Sequence, residues 1–261
     1  MRHHEETIEG FTASLASTAD VLGLVVVGSV ARGDERADSD VDVYLVLSDE
    51  GYAEAERAGR IAYVSSDGVC YEGGYVDIKL CGPAYLADAV QRADDPTRAS
   101  FVGARVVLDR LGGLPETARA MTRLPDAVWD RRVHAYRSQV ALYGGYFLRQ
   151  AYERGDAFLL RHSAVHTALA AGRTALARHR QLFRGQKYLS KDLAGITELP
   201  GTFRTAWWAV LDDPSPATAQ AIITELDAIT GGPLGLDETL STFIADNELA
   251  WLHGTIPPEF W

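Results

Sequence analysis

The chain has 261 residues, 47% of them hydrophobic, and a formal charge of −11. That is enough apolar material for one large domain or two modest ones, and it excludes a globally disordered chain. No run of about 18 apolar residues is present, so a membrane span is not expected. The first turn's worth of sequence, Met1 to Glu6, has no apolar signal core behind it, which sets a soluble, cytoplasmic protein as the expectation. The acidic surplus repels nucleic acid, so it disfavours DNA or tRNA as a partner and favours a cationic small molecule.

In chain order, Ile8, Phe11, Leu15 and Ala19 recur at helical spacing and predict an opening helix. Residues 21–27 form a compact apolar run ending at Gly28-Ser29, which reads as a buried strand and a turn. Residues 41–47 predict a second strand and 54–58 a short helix. The runs 60–64 and 69–72 flank Asp67-Gly68, a tight-turn dipeptide, and predict a hairpin. Residues 75–80 read as a further strand, Pro83 opens a helix to about residue 91, and 105–108 read as a last strand. Cys70 and Cys81 make neither a CxxC pair nor a Cys/His ligand spacing, so buried, reduced thiols are expected.

Near residue 125 the period changes. Trp129, Val133, Tyr136, Val140, Tyr143 and Phe147 mark one face of a long helix. A second helix is predicted over 156–183 with Asp156 as its cap, and a shorter one around Phe203, Trp207, Trp208 and Leu211. Ser215-Pro216 opens a helix to about 229, and Asp237 caps a last one to about 252. The pattern is α+β: a mixed sheet with flanking helices over residues 1–124, then an all-helical bundle over 125–261.

Chemistry concentrates in Val27-Gly28-Ser29-Val30-Ala31-Arg32-Gly33 followed by Ser39-Asp40-Val41-Asp42. Strand side chains alternate faces, so Asp40 and Asp42 point the same way. Two carboxylates held that close repel unless a cation neutralises them, and Mg2+ prefers a few carboxylates plus phosphate oxygens. Gly28 lets backbone N–H groups approach a phosphate, and the Ser29 hydroxyl adds a donor. Asp77, flanked by Val76 and Ile78, is a costly acid to place in a strand without a partner. A phosphate cradle beside a carboxylate pair is what phosphoryl-type transfer needs. If the strand of Asp77 pairs beside that of Asp40 and Asp42, the three acids converge and a two-metal arrangement follows, one ion for the triphosphate and one for the acceptor hydroxyl.

These residues resemble the signature of the DNA polymerase β-like nucleotidyltransferase superfamily: a Gly-Ser turn, then Asp-x-Asp, then a third acid on a later strand. The fuller form, from Gly28-Ser29 through Asp40-Val41-Asp42, is similar to the small-molecule branch that includes aminoglycoside nucleotidyltransferases. The resemblance implies that Asp40, Asp42 and Asp77 bind Mg2+ and carry catalysis, that Gly28, Ser29 and Ser39 lie at the triphosphate, and that Arg32 braces the loop or contacts phosphate. It also implies ATP as nucleoside triphosphate, AMP transfer to a hydroxyl of a small molecule, and a nucleotide lying between a catalytic and a helical half. In related enzymes a lysine of the helical domain reaches the triphosphate; Lys187 is the candidate here, with Lys191 and Arg184 behind it. Glu72 stands beside Asp77 as an alternative general base.

An aminoglycoside-like antibiotic is the first acceptor expected. A toxin–antitoxin-type enzyme acting on protein or tRNA, and a non-catalytic antitoxin-like module, are the alternatives. Whether the chain is a monomer or a homodimer is left open. His162 and His166 share a helix face, but no third ligand accompanies them, so packing is expected rather than zinc. Trp207 and Trp208 read as core.

Overall fold

The computed structural model describes residues 1–261, which divide into two compact units, Met1–Arg123 and Leu124–Trp261. Five strands make up the sheet of the first unit: β1 (Val21–Val26), β2 (Val41–Leu47), β3 (Ala62–Ser65), β4 (Val76–Cys81) and β5 (Arg105–Asp109). Their order is β3-β4-β2-β1-β5. The central pair β2 and β4 is parallel, and every other pair is antiparallel.

Alternation along β2 divides its side chains between two cores. Val41, Val43 and Leu45 pack with Val76 and Ile78 beneath helix α1 (Arg2–Ser14), which contributes Ile8 and Phe11, with Leu15 just past its end. Tyr44 and Val46 face the other way, toward Leu86, Ala89, Phe101, Leu114, Ala118 and Met121. Burying a side chain such as Ile78 or Leu86 in these layers contributes about 1.5–3 kcal/mol. Asp42 shares the second face with Tyr44 but lies at the open end of the strand, where the apolar cover stops.

The predicted hairpin does not form. Strand β3 pairs antiparallel with β4, with Tyr63 opposite Ile78 and Val64 opposite Asp77, so residues 66–75 are a connecting loop. That loop lies on α1: a Cβ on Gly68 would come within 2.5 Å of the Phe11 nitrogen. Asp67-Gly68 does turn the chain, but tertiary contact with α1 decides the path of the residues after it. Cys70 is consequently exposed in the loop rather than buried in a strand, while Cys81 is buried and its thiol is pushed up to about 12 by desolvation. Four helices complete most of the unit: α2 (Gly28–Arg32), α3 (Asp49–Arg57), α4 (Pro83–Arg92) and α5 (Asp95–Ser100), joined by α6 (Leu114–Met121) beyond β5.

The second unit is helical. Helix α7 (Asp126–Val140) continues through a π-helical stretch, Ala141–Phe147, into α8 (Leu148–Arg154). Helix α9 (Ala157–Arg178) is capped by Asp156, whose carboxylate accepts the Phe158 and Leu159 N–H groups. Its buried alanines 164, 168, 171 and 175 let neighbouring helices approach closely, and the same core is filled by Phe203, Trp207 and Ile222. The first two come from α11 (Gly201–Asp212) and the third from α12 (Pro216–Thr230), with α10 (Leu189–Gly195) preceding them. Trp207 is core and donates its indole N–H to the Ala168 carbonyl at 2.7 Å, whereas Trp208 is exposed. The cap of α12 is a reciprocal Ser215/Thr218 box. Asp237 lies inside the first turn of α13 (Leu236–Phe243) rather than capping it. No helix is long and apolar enough to cross a membrane.

Candidate active site

Strand register assembles the acids. Asp42 and Asp77 are direct partners across the parallel β2–β4 pair, and Asp40 lies one residue before β2. One carboxylate oxygen from each of Asp40, Asp42 and Asp77 lies within 4.8 Å of the others, and all three residues are half-buried. Partial burial, then repulsion from Asp40, pushes the Asp42 carboxyl above its ordinary range; Lys79 and Arg32 pull it back only in part. Three like charges this close call for a compensating cation. Oxygen-only donors in a half-open setting suit a hard divalent ion that keeps some waters or phosphate oxygens.

Gly28 closes one side of this cluster. Its φ is +71°, and a Cβ there would lie 2.1 Å from Asp42 Oδ2. Only glycine allows both that backbone conformation and that approach. The preceding residue ties the turn down, because Val27 donates its N–H to the Asp42 carbonyl at 2.9 Å. Ser29 comes next in the single turn of α2, half-buried, with its carbonyl accepting the Asp34 N–H at 3.1 Å. Gly28 stands against the acids with Ser29 beside it.

The other residues singled out from the sequence divide into two groups. Arg32 pairs with Asp34 at 3.3 Å and packs on Gly103, bracing the loop, and its charge is felt at Asp42. Ser39 accepts the Arg36 N–H on its hydroxyl at 2.9 Å, so it shapes the turn that delivers Asp40. Glu72 is exposed in the loop before β4. Lys187 and Lys191 are exposed in the second unit, and Arg184 is committed to Asp192 there. His162 and His166 pack in the second unit against Tyr143, a residue of its π-helical stretch, and His166 faces Glu259 at 3.4 Å.

Several neighbours of the acids carry no motif of their own. Lys79 comes after Asp77 at a spacing of two, which places it on the same strand face. The Tyr75 hydroxyl donates to Asp40, which raises the phenol above its ordinary pKa. The carbonyl of Ser39 accepts both the Tyr71 hydroxyl at 2.6 Å and a ring nitrogen of His4 at 3.1 Å. The Lys79 spacing is readable from the sequence; the contacts of His4 and Tyr71, from 35 and 32 residues away, are not.

Residues 6–86 match the sequence profile of a family described as "Nucleotidyltransferase domain". Residues 6–86 therefore carry a nucleotidyltransferase domain. A solved nucleotidyltransferase-like protein from Exiguobacterium sibiricum 255-15 shares the fold, with a TM-score of 0.52 over 93% of this chain and 77% of that one, at 9% identity. No curated protein sequence matches. The matched domain marks a nucleotidyltransferase, and the acidic triad, within the matched segment, is suited to the divalent metal that such enzymes use.

Proposed function

We propose that this nucleotidyltransferase transfers AMP from ATP to a hydroxyl of a small, cationic acceptor and releases pyrophosphate. The observation that carries the reading is the convergence of the Asp40, Asp42 and Asp77 oxygens beside a glycine turn that tolerates no side chain. Asp40, Asp42 and Asp77 would hold Mg2+. When bound, Mg2+ supplies charge neutralisation of the phosphates and a lowered pKa for the attacking hydroxyl.

The chain's own groups do the rest. Backbone N–H groups at Gly28 and Ser29, with the Ser29 hydroxyl, orient the triphosphate so that its α-phosphate faces the acceptor. Asp77 would take the hydroxyl proton as general base, the role a carboxylate beside the attacking hydroxyl can play. Arg32 steadies the phosphate loop.

The excess of 36 acidic over 25 basic side chains favours a polyamine-bearing acceptor, and an aminoglycoside antibiotic is the first choice. Antibiotic modification in the cytoplasm would be the biological consequence. Pyrophosphate release across an aminoglycoside panel tests this. Release with at least one member, abolished in Asp42→Asn, is expected. Silence with the whole panel would remove the aminoglycoside assignment, and wild-type turnover in Asp42→Asn would remove the catalytic one.

A further inference from the structure

The segment from Asp34 to Ser39 must deliver Asp40 to a cluster that its charge opposes. Within its turn Arg36 donates its N–H to the Ser39 hydroxyl, and Ser39 returns its N–H to the Arg36 carbonyl at 3.1 Å. Further back, the Met1 amino group pairs with Glu35 and a His3 ring nitrogen lies 3.1 Å from the Ala37 carbonyl, but neither bond reaches the residue next to Asp40. Two distant parts of the chain pin it next to Asp40. His4, fully buried in the first turn of α1, reaches the Ser39 carbonyl with Nε2 at 3.1 Å. Tyr71, in the loop before β4, donates its hydroxyl to the same oxygen at 2.6 Å.

Both donors are themselves fixed. A carbonyl can only accept, so His4 Nε2 carries the proton, and the buried, unpartnered Nδ1 is left as a lone pair. The Tyr71 ring lies 5.1 Å from the His4 ring, edge to face, and 4.7 Å from His3. Behind it, Gly74 presses so closely that a Cβ would fall 2.4 Å from Tyr71 Cζ. On the other side of Asp40, Val41 donates its N–H to the Tyr75 carbonyl at 3.1 Å. The backbone is thus tethered on both sides of a single carboxylate.

We infer that His4 and Tyr71 are positioning residues for Asp40, acting through the Ser39 carbonyl to hold its carboxylate against the repulsion of Asp42 and Asp77. The inference rests on Asp40 being a metal ligand, as proposed above. Neither side chain touches the metal, the nucleotide or the reacting atoms in this role. Their contribution is that the cluster is already assembled when the cation arrives, so that ordering the loop does not subtract from metal affinity.

Mn2+ titration followed by electron paramagnetic resonance tests it on the full chain without nucleotide, for wild type, Tyr71→Phe, His4→Leu, His4→Gln and Asp40→Asn/Asp42→Asn. Gln places an amide donor near the Nε2 position, whereas Leu keeps only bulk. Tyr71→Phe and His4→Leu should each weaken Mn2+ binding about fivefold, the loss expected for one neutral hydrogen bond, while His4→Gln stays within about twofold of wild type. Near-UV circular dichroism should be retained in Tyr71→Phe, which keeps the ring. If Tyr71→Phe and His4→Leu lower only the melting temperature and bind Mn2+ as wild type does, the two residues are merely structural and the inference fails, with the metal site intact. If the double aspartate variant binds Mn2+ as tightly as wild type, the metal reading fails and the inference with it.

Discussion

Asp42 shows how far a single residue can be placed at odds with stability. Its carboxyl is pushed above the ordinary range by burial and by Asp40, so in the absence of metal the fold disfavours the ionised form. For an acid whose folded pKa is raised, the cost is absent below the unfolded pKa, grows as pH rises, and is complete above the folded value. Asp42→Asn should therefore melt higher than wild type at pH 7–8. The gain should vanish near pH 3–4, around the ordinary carboxylate value, and shrink when Mg2+ is added to both proteins. Differential scanning calorimetry at the two pH values decides it. Gly28 is the converse case. Gly28→Ala must place a methyl at 2.1 Å from Asp42 Oδ2 with φ at +71°, so destabilisation beyond about 1 kcal/mol is expected in urea, together with lost metal binding. That Asp40 and Asp42 share a face comes from strand alternation and is legible in the sequence. That Asp77 lies opposite Asp42 is not, because alternation states which face a side chain takes and not which strand lies beside it.

At the scale of elements, the long periodic helices of the second half and the buried strand over residues 41–47 are readable, because many residues repeat the same signal. Short elements are not. Helix α5 has only six residues, Asp95–Ser100, and is held by its packing partners. Its buried Arg98 donates to the carbonyls of Val90 and Ala93 at the end of α4 and of Met121 at the end of α6. These are helix-end carbonyls that no helical N–H can satisfy. Arg98→Ala removes the donor from all three, one of them fully buried, and should destabilise the protein by about 3 kcal/mol in urea denaturation. A loss under about 0.5 kcal/mol, typical of a surface site, would show that solvent reaches those carbonyls. The misread hairpin has the same origin: Asp67-Gly68 supplies a turn, but the contact of Gly68 with α1 sends residues 69–75 across the helix instead of into a strand.

For the whole molecule, the change of period near residue 125 separates a sheet that carries the acidic cluster at one end from a helical unit built on apolar packing. The first unit brings together the acids and the glycine turn that a nucleotidyl transfer needs, and the second carries exposed cations at Lys187 and Lys191. The acceptor is the least legible part, because it is read by surface shape and not by a motif. The net charge of −11 constrains it only to molecules that such a field does not repel.

The most direct measurement is calorimetric titration of ATP with Mg2+ into the wild-type protein and into Asp40→Asn/Asp42→Asn, with the other three ribonucleoside triphosphates run alongside. Binding of ATP that requires Mg2+ and disappears in the double variant is the predicted result. No binding of any triphosphate, or binding that survives in the double variant, would contradict the assignment of Asp40, Asp42 and Asp77 as the nucleotide–metal site.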